Sequence, residues 1–495
     1  MPKGIEATTP APALDLQDLE ARIHRDLDYL NLPAKPWVLP LHDAPEPTYD
    51  VVVVGAGMIG LAATAALRLR GISSVICLDR APEGTEGPWV TYGRMVTLRT
   101  AKSACGPALG IPSLTFRAWF EAQFGNAAWE RLNKIPRAQW MDYLIWYRRI
   151  LDLPVRNGMD VTDIAPQDDG LIRVTVRGES TPVLARRVIL ATGIDGLGAP
   201  SLPSVASGIS SRFCAHSADM IDFTALAGKR VGVVGAGASA MDNAASALEA
   251  GAAGVDLFVR REALPSVDKF TGISSDGLVM GYVGLPDAVK WEMMRLGLDA
   301  PVPPPRDSTR RVFRHKNARL HVNAPLLSVE ETASALTVTT PHGETELDFL
   351  IFATGFSCDV TSRPELSSFA SKISLWDDHY TPPAGEESKS LGQSPYLAPD
   401  FSFVAREDSD KEPLSRIYCL CFASVLSHGK LTSGAPAMDE AVQRLVHGVA
   451  ASFLRENSQD WLNIFREFDR PELLGDEWHP EQIVNGTSTK VKSNA

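Results

Sequence analysis

Cysteine is scarce in this chain. Its 495 residues hold six, Cys77, Cys105, Cys214, Cys358, Cys419 and Cys421. No C-x-x-C pair exists among them, and no Cys/His grouping has zinc-ligand spacing. That excludes a disulfide framework and a structural metal as organising principles, and predicts a cytoplasmic protein with reduced thiols. Long apolar runs are lacking too, so no bilayer-spanning segment and no membrane partner are expected. The start has no basic stretch followed by an apolar one, which argues against a secretory signal. Positive charge is in deficit: Lys+Arg is 48 against 60 Asp+Glu, a formal charge of −12. Such a balance argues against a general nucleic-acid binder but leaves room for a local basic pocket for a phosphate.

What remains is an ordinary globular composition, 44% hydrophobic and 22% charged. The length suits two to four domains. Residues 1–14 are rich in Pro, Ala and Thr and read as a loose tail. Leu16, Leu19, Ile23, Leu27 and Leu30 recur at helical spacing and predict one amphipathic packing helix that ends before Pro33. A linker from Pro40 to Pro47 follows.

The glycines carry the strongest signal. Tyr49 to Val54 reads as a buried parallel strand and runs into Gly55-Ala56-Gly57-Met58-Ile59-Gly60. A helix-like stretch to Arg70 and a second apolar strand, Ser74 to Leu78, end at Asp79 and Arg80. This is a strand, glycine turn, helix and strand with an acid about 20 residues on, the pattern of a dinucleotide site. Gly55 permits the tight turn, Gly57 lets a pyrophosphate approach the backbone, and Gly60 brings the helix against the strand. Asp79 is placed to accept from a ribose diol. The unit recurs at Lys229 to Val234 with Gly235-Ala236-Gly237-Ala238-Ser239-Ala240, and its second strand, Val255 to Val259, ends at Arg260-Arg261. Two guanidinium groups in the place of Asp79 suit a ribose 2′-phosphate and favour NADPH over NADH. The less favoured alternative is that they solvate a strand end.

A second repeat supports the first. Leu171 to Val176 and Val183 to Ala185 read as a hairpin, followed by the strand Arg187 to Leu190 and Ala191-Thr192-Gly193. Leu336 to Thr340 and Thr345 to Leu347 read as another, followed by Phe349 to Phe352 and Ala353-Thr354-Gly355. Matched elements in the same order indicate a duplicated nucleotide-binding architecture. We therefore expect an α/β fold of two Rossmann-like domains, the second inserted in the first. The expected boundaries are a tail and helix at 1–48, a first FAD-binding part at 49–200, an NADPH-binding domain at 201–324, and a second FAD-binding part with the C-terminal region at 325–495. Two dinucleotides side by side imply hydride transfer between them. A disulfide reductase needs a redox Cys pair, and Cys419-x-Cys421 lies in an apolar strand-like stretch that reads as core.

From Tyr49 to about Leu445 the chain resembles the class B-type flavoprotein monooxygenases, comprising the flavin-containing, N-hydroxylating and Baeyer–Villiger groups. The matching pieces are the first glycine turn, Gly87-Pro88-Trp89, His216-Ser217 ahead of Gly228 to Ser239, and Asp348 to Phe356. The departures are Ser210, Arg212 and Met220 around His216, the lack of Pro and Asp in Tyr92 to Thr97, and the lack of Asn near Thr100. They leave the subgroup open. The resemblance implies that NADPH reduces FAD, and that reduced flavin takes up O2 as a C4a-(hydro)peroxide in a site that excludes water. One oxygen atom then passes to a small organic substrate. It also places Trp89, Thr100, Thr354 and Gly355 near the cofactors.

Oxygenation at nitrogen is marginally preferred, with Baeyer–Villiger insertion next. An NADPH oxidase or dehydrogenase and a non-catalytic redox sensor remain as further classes. Candidate catalytic groups are Arg99 and Lys102, just after the flavin segment, and His428 in a late strand-to-helix turn. Surface or FAD-phosphate roles for the two cations, and a plain loop role for His428, stay open. Trp119, Trp140, Trp146 and Tyr147 read as core. Residues 264–320 read as an insertion, with Lys269 to Gly272 bordering the site and Pro301 to Pro305 non-helical. A homodimer is the default assembly.

Overall fold

The computed structural model describes residues 15–41, 47–194, 196–431, 434–474 and 476–484. The tail 1–14 and residues 42–46 of the linker lie outside the described residues. The chain divides into two compact units, Met1–Ala450 and Ala451–Ala495.

The first unit opens on helix α1, Leu16–Tyr29, which buries Leu19 and Ile23 and is capped by Asp15 accepting from Asp18 N. The expected packing helix is therefore present. Strand β1, Thr48–Val54, leads through the first glycine turn into α2, Met58–Leu69, and β2, Val75–Leu78. Helices α3 (Phe116–Phe124), α4 (Asn126–Arg131) and α5 (Arg137–Ile150) then form an aromatic layer. Trp119, Trp140, Trp146 and Tyr147 are all buried in it, as their spacing predicts. Strands β3 (Val155–Arg156), β4 (Val161–Pro166), β5 (Ile172–Val176) and β6 (Val183–Leu190) follow, then β7, Gly198–Pro200.

The expected hairpin and strand at 183–190 are one continuous element. The start of β6 pairs antiparallel with β5 while the strand as a whole runs parallel to β1. The first sheet has seven strands in the order β3-β2-β1-β6-β5-β4, with β17, Ile417–Cys419, also on β6. The second halves of β1 and β6, Val51 to Val54 and Val188 to Leu190, are unbroken runs of Val, Ile and Leu, buried throughout as in a sheet covered on both faces.

The second sheet is formed by β8 (Cys214–His216), β9 (Arg230–Val234), β10 (Gly254–Phe258), β11 (Ala318–His321) and β15 (Phe349–Phe352). The order is β11-β10-β9-β15-β8, all parallel. Helix α6, Ala238–Glu249, covers one face with Ala240, Met241, Ala244 and Leu248. The meander β12 (Ser328–Glu331), β13 (Leu336–Thr340) and β14 (Gly343–Leu347) covers the other, packing Leu336, Val338 and Leu347 on Phe258, Leu350 and Phe352. Each such fully buried side chain contributes about 1.5–3 kcal/mol.

This pairing corrects the boundary expected at 324. Strand β15 and the meander before it belong with the second glycine turn, because β15 inserts beside β9. Only after it, through β16 (Phe356–Cys358, paired with β7) and β17, does the chain return to the first sheet. The architecture is thus α/β with a second Rossmann-like unit inserted in the first. The stretch 264–320 folds as α7 (Asp276–Gly281), α8 (Asp287–Asp299) and α9 (Arg306–Phe313), and residues 301–305 are not helical. In the second unit, residues 451–495, the helix Ser458–Glu467 has no buried residue. No helix among the described residues is long and apolar enough to cross a membrane.

Candidate active site

The two glycine turns are built alike, down to their supports. Gly55 has φ +104°, and a Cβ there would stand 2.5 Å from the carbonyl oxygen of Ala191, the first residue of the first A-T-G. Gly235 has φ +141°, and its Cβ would stand 2.5 Å from the carbonyl of Ala353, the first residue of the second. Each A-T-G therefore forms the floor of its own turn, which is why both motifs recur together. The sixth position differs. A Cβ on Gly60 would meet the Gly55 carbonyl at 1.8 Å, whereas the second turn accommodates Ala240, whose Cβ lies 3.4 Å from where a Cβ on Gly235 would stand.

The middle glycines behave differently. Gly57 and Gly237 cap α2 and α6, and a Cβ on either would meet nothing within 4 Å. Open space over a helix N-terminus is the cradle a pyrophosphate requires. Ala56, Met58 and Ile59 complete the first turn, and Ala238 with exposed Ser239 opens α6.

Asp79 is buried, and both its oxygens are engaged. Oδ2 accepts from Ala56 N at 2.6 Å and Oδ1 from Ala81 N at 2.7 Å. The carboxylate thus fixes the turn before any ligand arrives, and its remaining lone pairs are available to a ribose. Arg80 is exposed beside it. Beneath them, burial pushes the Cys77 thiol up to about 12, so it stays neutral. Trp89 packs edge-on to Trp140 with centroids 6.1 Å apart, its carbonyl accepts from Arg137, and its buried indole N–H has no partner among the described residues. The open glycine cradle and this orphaned donor fit a flavin dinucleotide along the first sheet. Thr100 is half-buried in the same segment, and the Thr354 hydroxyl is spent on the Ser201 carbonyl, with Gly355 O accepting from Ser201 N.

The arginine pair divides. Arg261 donates to the carbonyls of Asp299 (2.9 Å) and Leu298 (3.3 Å) and closes the end of α8. Those two bonds commit its guanidinium to the end of α8. Arg260 is exposed at the end of β10.

The three catalytic candidates lie in different surroundings. Lys102 donates to the carbonyl of Trp129 at 2.7 Å and lies over that indole, holding α4. His428 is fully buried, its ring stacked on Phe401 with centroids 3.7 Å apart. Its Nε2 sits 3.0 Å from Ala398 O and its Nδ1 3.3 Å from Arg444. Burial, seconded by Arg444, lowers its pKa to about 3, so it is a neutral packing group. Arg99 is the most exposed of the three, with Nη2 donating to Pro303 O at 3.0 Å.

The structure brings other residues to Arg99. Lys430, two positions after His428, lies 3.7 Å from the Phe270 ring centroid. Asp268, whose Oδ1 accepts from Phe270 N, stands within electrostatic reach of both cations. Arg94 ties the flavin segment to the second sheet's connections, donating to Thr91 O and to Asp219 O, each at 2.9 Å. Asp242 in α6 is buried beside Arg311 at 3.4 Å, and burial raises its pKa. None of these carries a motif signature. Only the nearness of Lys430 to the glycine after His428, and of Asp268 to Lys269, hinted at two of them.

A mixed sheet with a parallel core and a wholly parallel sheet, each with an open glycine cradle floored by an A-T-G, define a flavoprotein oxidoreductase with two dinucleotide-binding units. Residues 52–273 match the pyridine nucleotide-disulphide oxidoreductase family. The thiols that name suggests are absent from this site: Cys419 and Cys421, 3.6 Å apart, are core residues as expected. A FAD-dependent urate hydroxylase from Xanthomonas campestris pv. campestris is 40% identical over 472 residues, 95% of this chain and 100% of that protein. Among solved structures, the ornithine N-hydroxylase of Kutzneria sp. 744, with reduced FAD, NADP+ and L-ornithine, superposes with TM-score 0.65 at 17% identity, covering 82% of this chain and 100% of that one. The ornithine hydroxylase of Pseudomonas aeruginosa gives 0.64 at 16%, covering 82% and 99%. The chain belongs to the family of the urate hydroxylase, within the class B-type flavoprotein monooxygenases. It is a flavin-dependent monooxygenase, which disposes of the non-catalytic reading.

Proposed function

We propose that this enzyme hydroxylates a urate-like heterocycle, using FAD, NADPH and O2. One observation carries the reading: the 40% identity to the urate hydroxylase over the whole of that protein. The N-hydroxylases share 15–17% and support the fold alone. The preference for oxygenation at nitrogen therefore gives way to hydroxylation of a urate-like ring.

FAD, reduced by NADPH, supplies the electrons that activate O2. The chain's own residues have separable tasks. The turn Gly55 to Gly60 and the α2 N-terminus hold the FAD pyrophosphate, with Asp79 at its ribose. The turn Gly235 to Ser239 and α6 hold NADPH, with Arg260 at the 2′-phosphate. In this reading the FAD unit is 49–200 with 356–450, and the NADPH unit is 201–355. The Arg94 bond to Asp219 O ties the flavin segment to the NADPH unit.

The test supplies the holoenzyme with urate, NADPH and O2. The expected result is hydroxylated urate, with one NADPH and one O2 consumed and one water formed per urate. Consumption of NADPH with hydrogen peroxide accumulating and urate intact would return the oxidase reading. An N-oxygenated product from an amine panel, with urate untouched, would restore the earlier preference.

A further inference from the structure

The second unit, residues 451–495, carries an apolar face that it does not itself cover. In the helix Ser458–Glu467 the residues Trp461, Leu462, Ile464 and Phe465, continued by Phe468, recur at helical spacing along one side. No residue of that helix is buried. Phe465 is 80% exposed and Phe468 71%, and beyond the helix Leu473 and Leu474 stand at 63% and 76%. Summed with Leu462 and Ile464, these side chains present on the order of 700 Å² of apolar surface. The largest contiguous patch on a monomer is about 300–600 Å², and one partner of a standard interface buries about 800 Å². The exposed area is therefore close to half an interface.

Charge selects the occupant. At 100° per residue, Asp460 and Glu467 fall on one flank of the stripe and Arg466 on the other. Arg466 donates to Asn463 Oδ1 at 3.5 Å and forms no ion pair among the described residues. Two copies of the helix packed in parallel, stripe to stripe, set the acidic flank of each against the Arg466 flank of the other, as at the edges of a parallel coiled coil. An antiparallel pair would set like flank against like. One patch thus serves both copies, the requirement of an isologous dimer. The stretch 458–484 holds seven Asp and Glu against two Arg. That excess disfavours an anionic lipid surface, the other common cover for an amphipathic helix. Between two copies the same excess is screened beyond about 8 Å at physiological salt, whereas apolar contact is not.

We propose that the chain dimerises through this face, with the helices Ser458–Glu467 of two copies packed in parallel, Phe465 and Phe468 buried between them, and Arg466 of each copy against the acidic flank of the other.

Sedimentation equilibrium of the FAD-loaded full chain tests it. The expected result is a dimer with Kd of about 1 μM or tighter. Phe465→Glu with Phe468→Glu is expected to weaken association about 100-fold or more. FAD content and thermal midpoint should be unchanged, because neither ring is buried in its own chain. Arg466→Glu alone is expected to weaken the dimer about threefold. Adding Asp460→Arg and Glu467→Arg to it, which exchanges the two flanks, should restore the affinity of the unaltered chain. A monomer throughout the concentration range, whether or not it binds anionic vesicles, would overturn the proposal. So would a dimer indifferent to the two Phe→Glu changes, or loss of FAD and of stability on making them, which would place the face inside its own chain. A dimer tightened by Arg466→Glu would overturn the parallel arrangement.

Discussion

Glycine residues that look interchangeable in a motif have separable duties. Gly55 carries a positive φ and lies hard against the Ala191 carbonyl, so a methyl group there meets both strain and a clash. Gly57 has neither problem, and its missing Cβ matters only to a ligand. Gly55→Ala is therefore expected to lower the thermal midpoint of the flavin-free protein, by a destabilisation of about 1–3 kcal/mol or more. Gly57→Ala should leave that midpoint unchanged and lower the FAD content of the purified protein. Parallel melting curves and flavin spectra check both. A Gly57→Ala protein that melts early while retaining flavin would show the turn to be structural throughout. The same contrast separates Arg260 from Arg261, which sequence position treats as a pair and hydrogen bonding does not.

At the scale of elements, the turn around His428 makes a pH-dependent contribution. Its imidazole is packed against Phe401 and faces Arg444 and Lys290, with Glu440 paired to Arg444 at 2.9 Å. The folded state holds this group neutral down to about pH 3, whereas an unfolded chain protonates it near 6.5. The unfolded state thus binds more protons below pH 6.5, and stability falls as pH drops from 6.5 toward 3. The slope reaches at most about 1.4 kcal/mol per pH unit. His428→Gln, which retains a donor for Ala398 O, should flatten that part of the profile. Urea midpoints for both proteins from pH 7.5 to 4.5, values taken to bracket the His titration, would measure it. Identical slopes would show the imidazole to be hydrated in the native state.

The same element shows where the chain was legible. Both strand-turn-helix units, α1 and the aromatic core were readable because their signals lie within a few residues. The sheet that β15 joins was not, because its partner β9 lies more than 100 positions earlier and only pairing decides it. The fates of Lys102 and His428 depend on α4 and on Phe401, which no local pattern announces.

For the whole molecule, duplication implies two binding sites on separate cores. One core surrounds β1, β6 and β17, with Val52, Val188 and Ile417. The other surrounds β9, β10 and α6, with Val233, Leu257 and Ala244. If each glycine cradle is supported by its own sheet and its own A-T-G, damage to one should not propagate to the other. Arg260→Ala is expected to raise KM for NADPH about tenfold or more, leave the kinetics with NADH unchanged, and keep a full complement of FAD. Gly57→Ala, though poor in FAD, should still bind NADP+ with the affinity of the flavin-free parent. In the double variant the two losses in binding free energy should add within about 0.5 kcal/mol, as for sites with no shared partner. Equilibrium titrations of all four proteins with NADP+ and FAD close the cycle. Non-additivity beyond that margin would locate coupling between the sheets, and the Arg94 bridge to Asp219 is where it would be sought first.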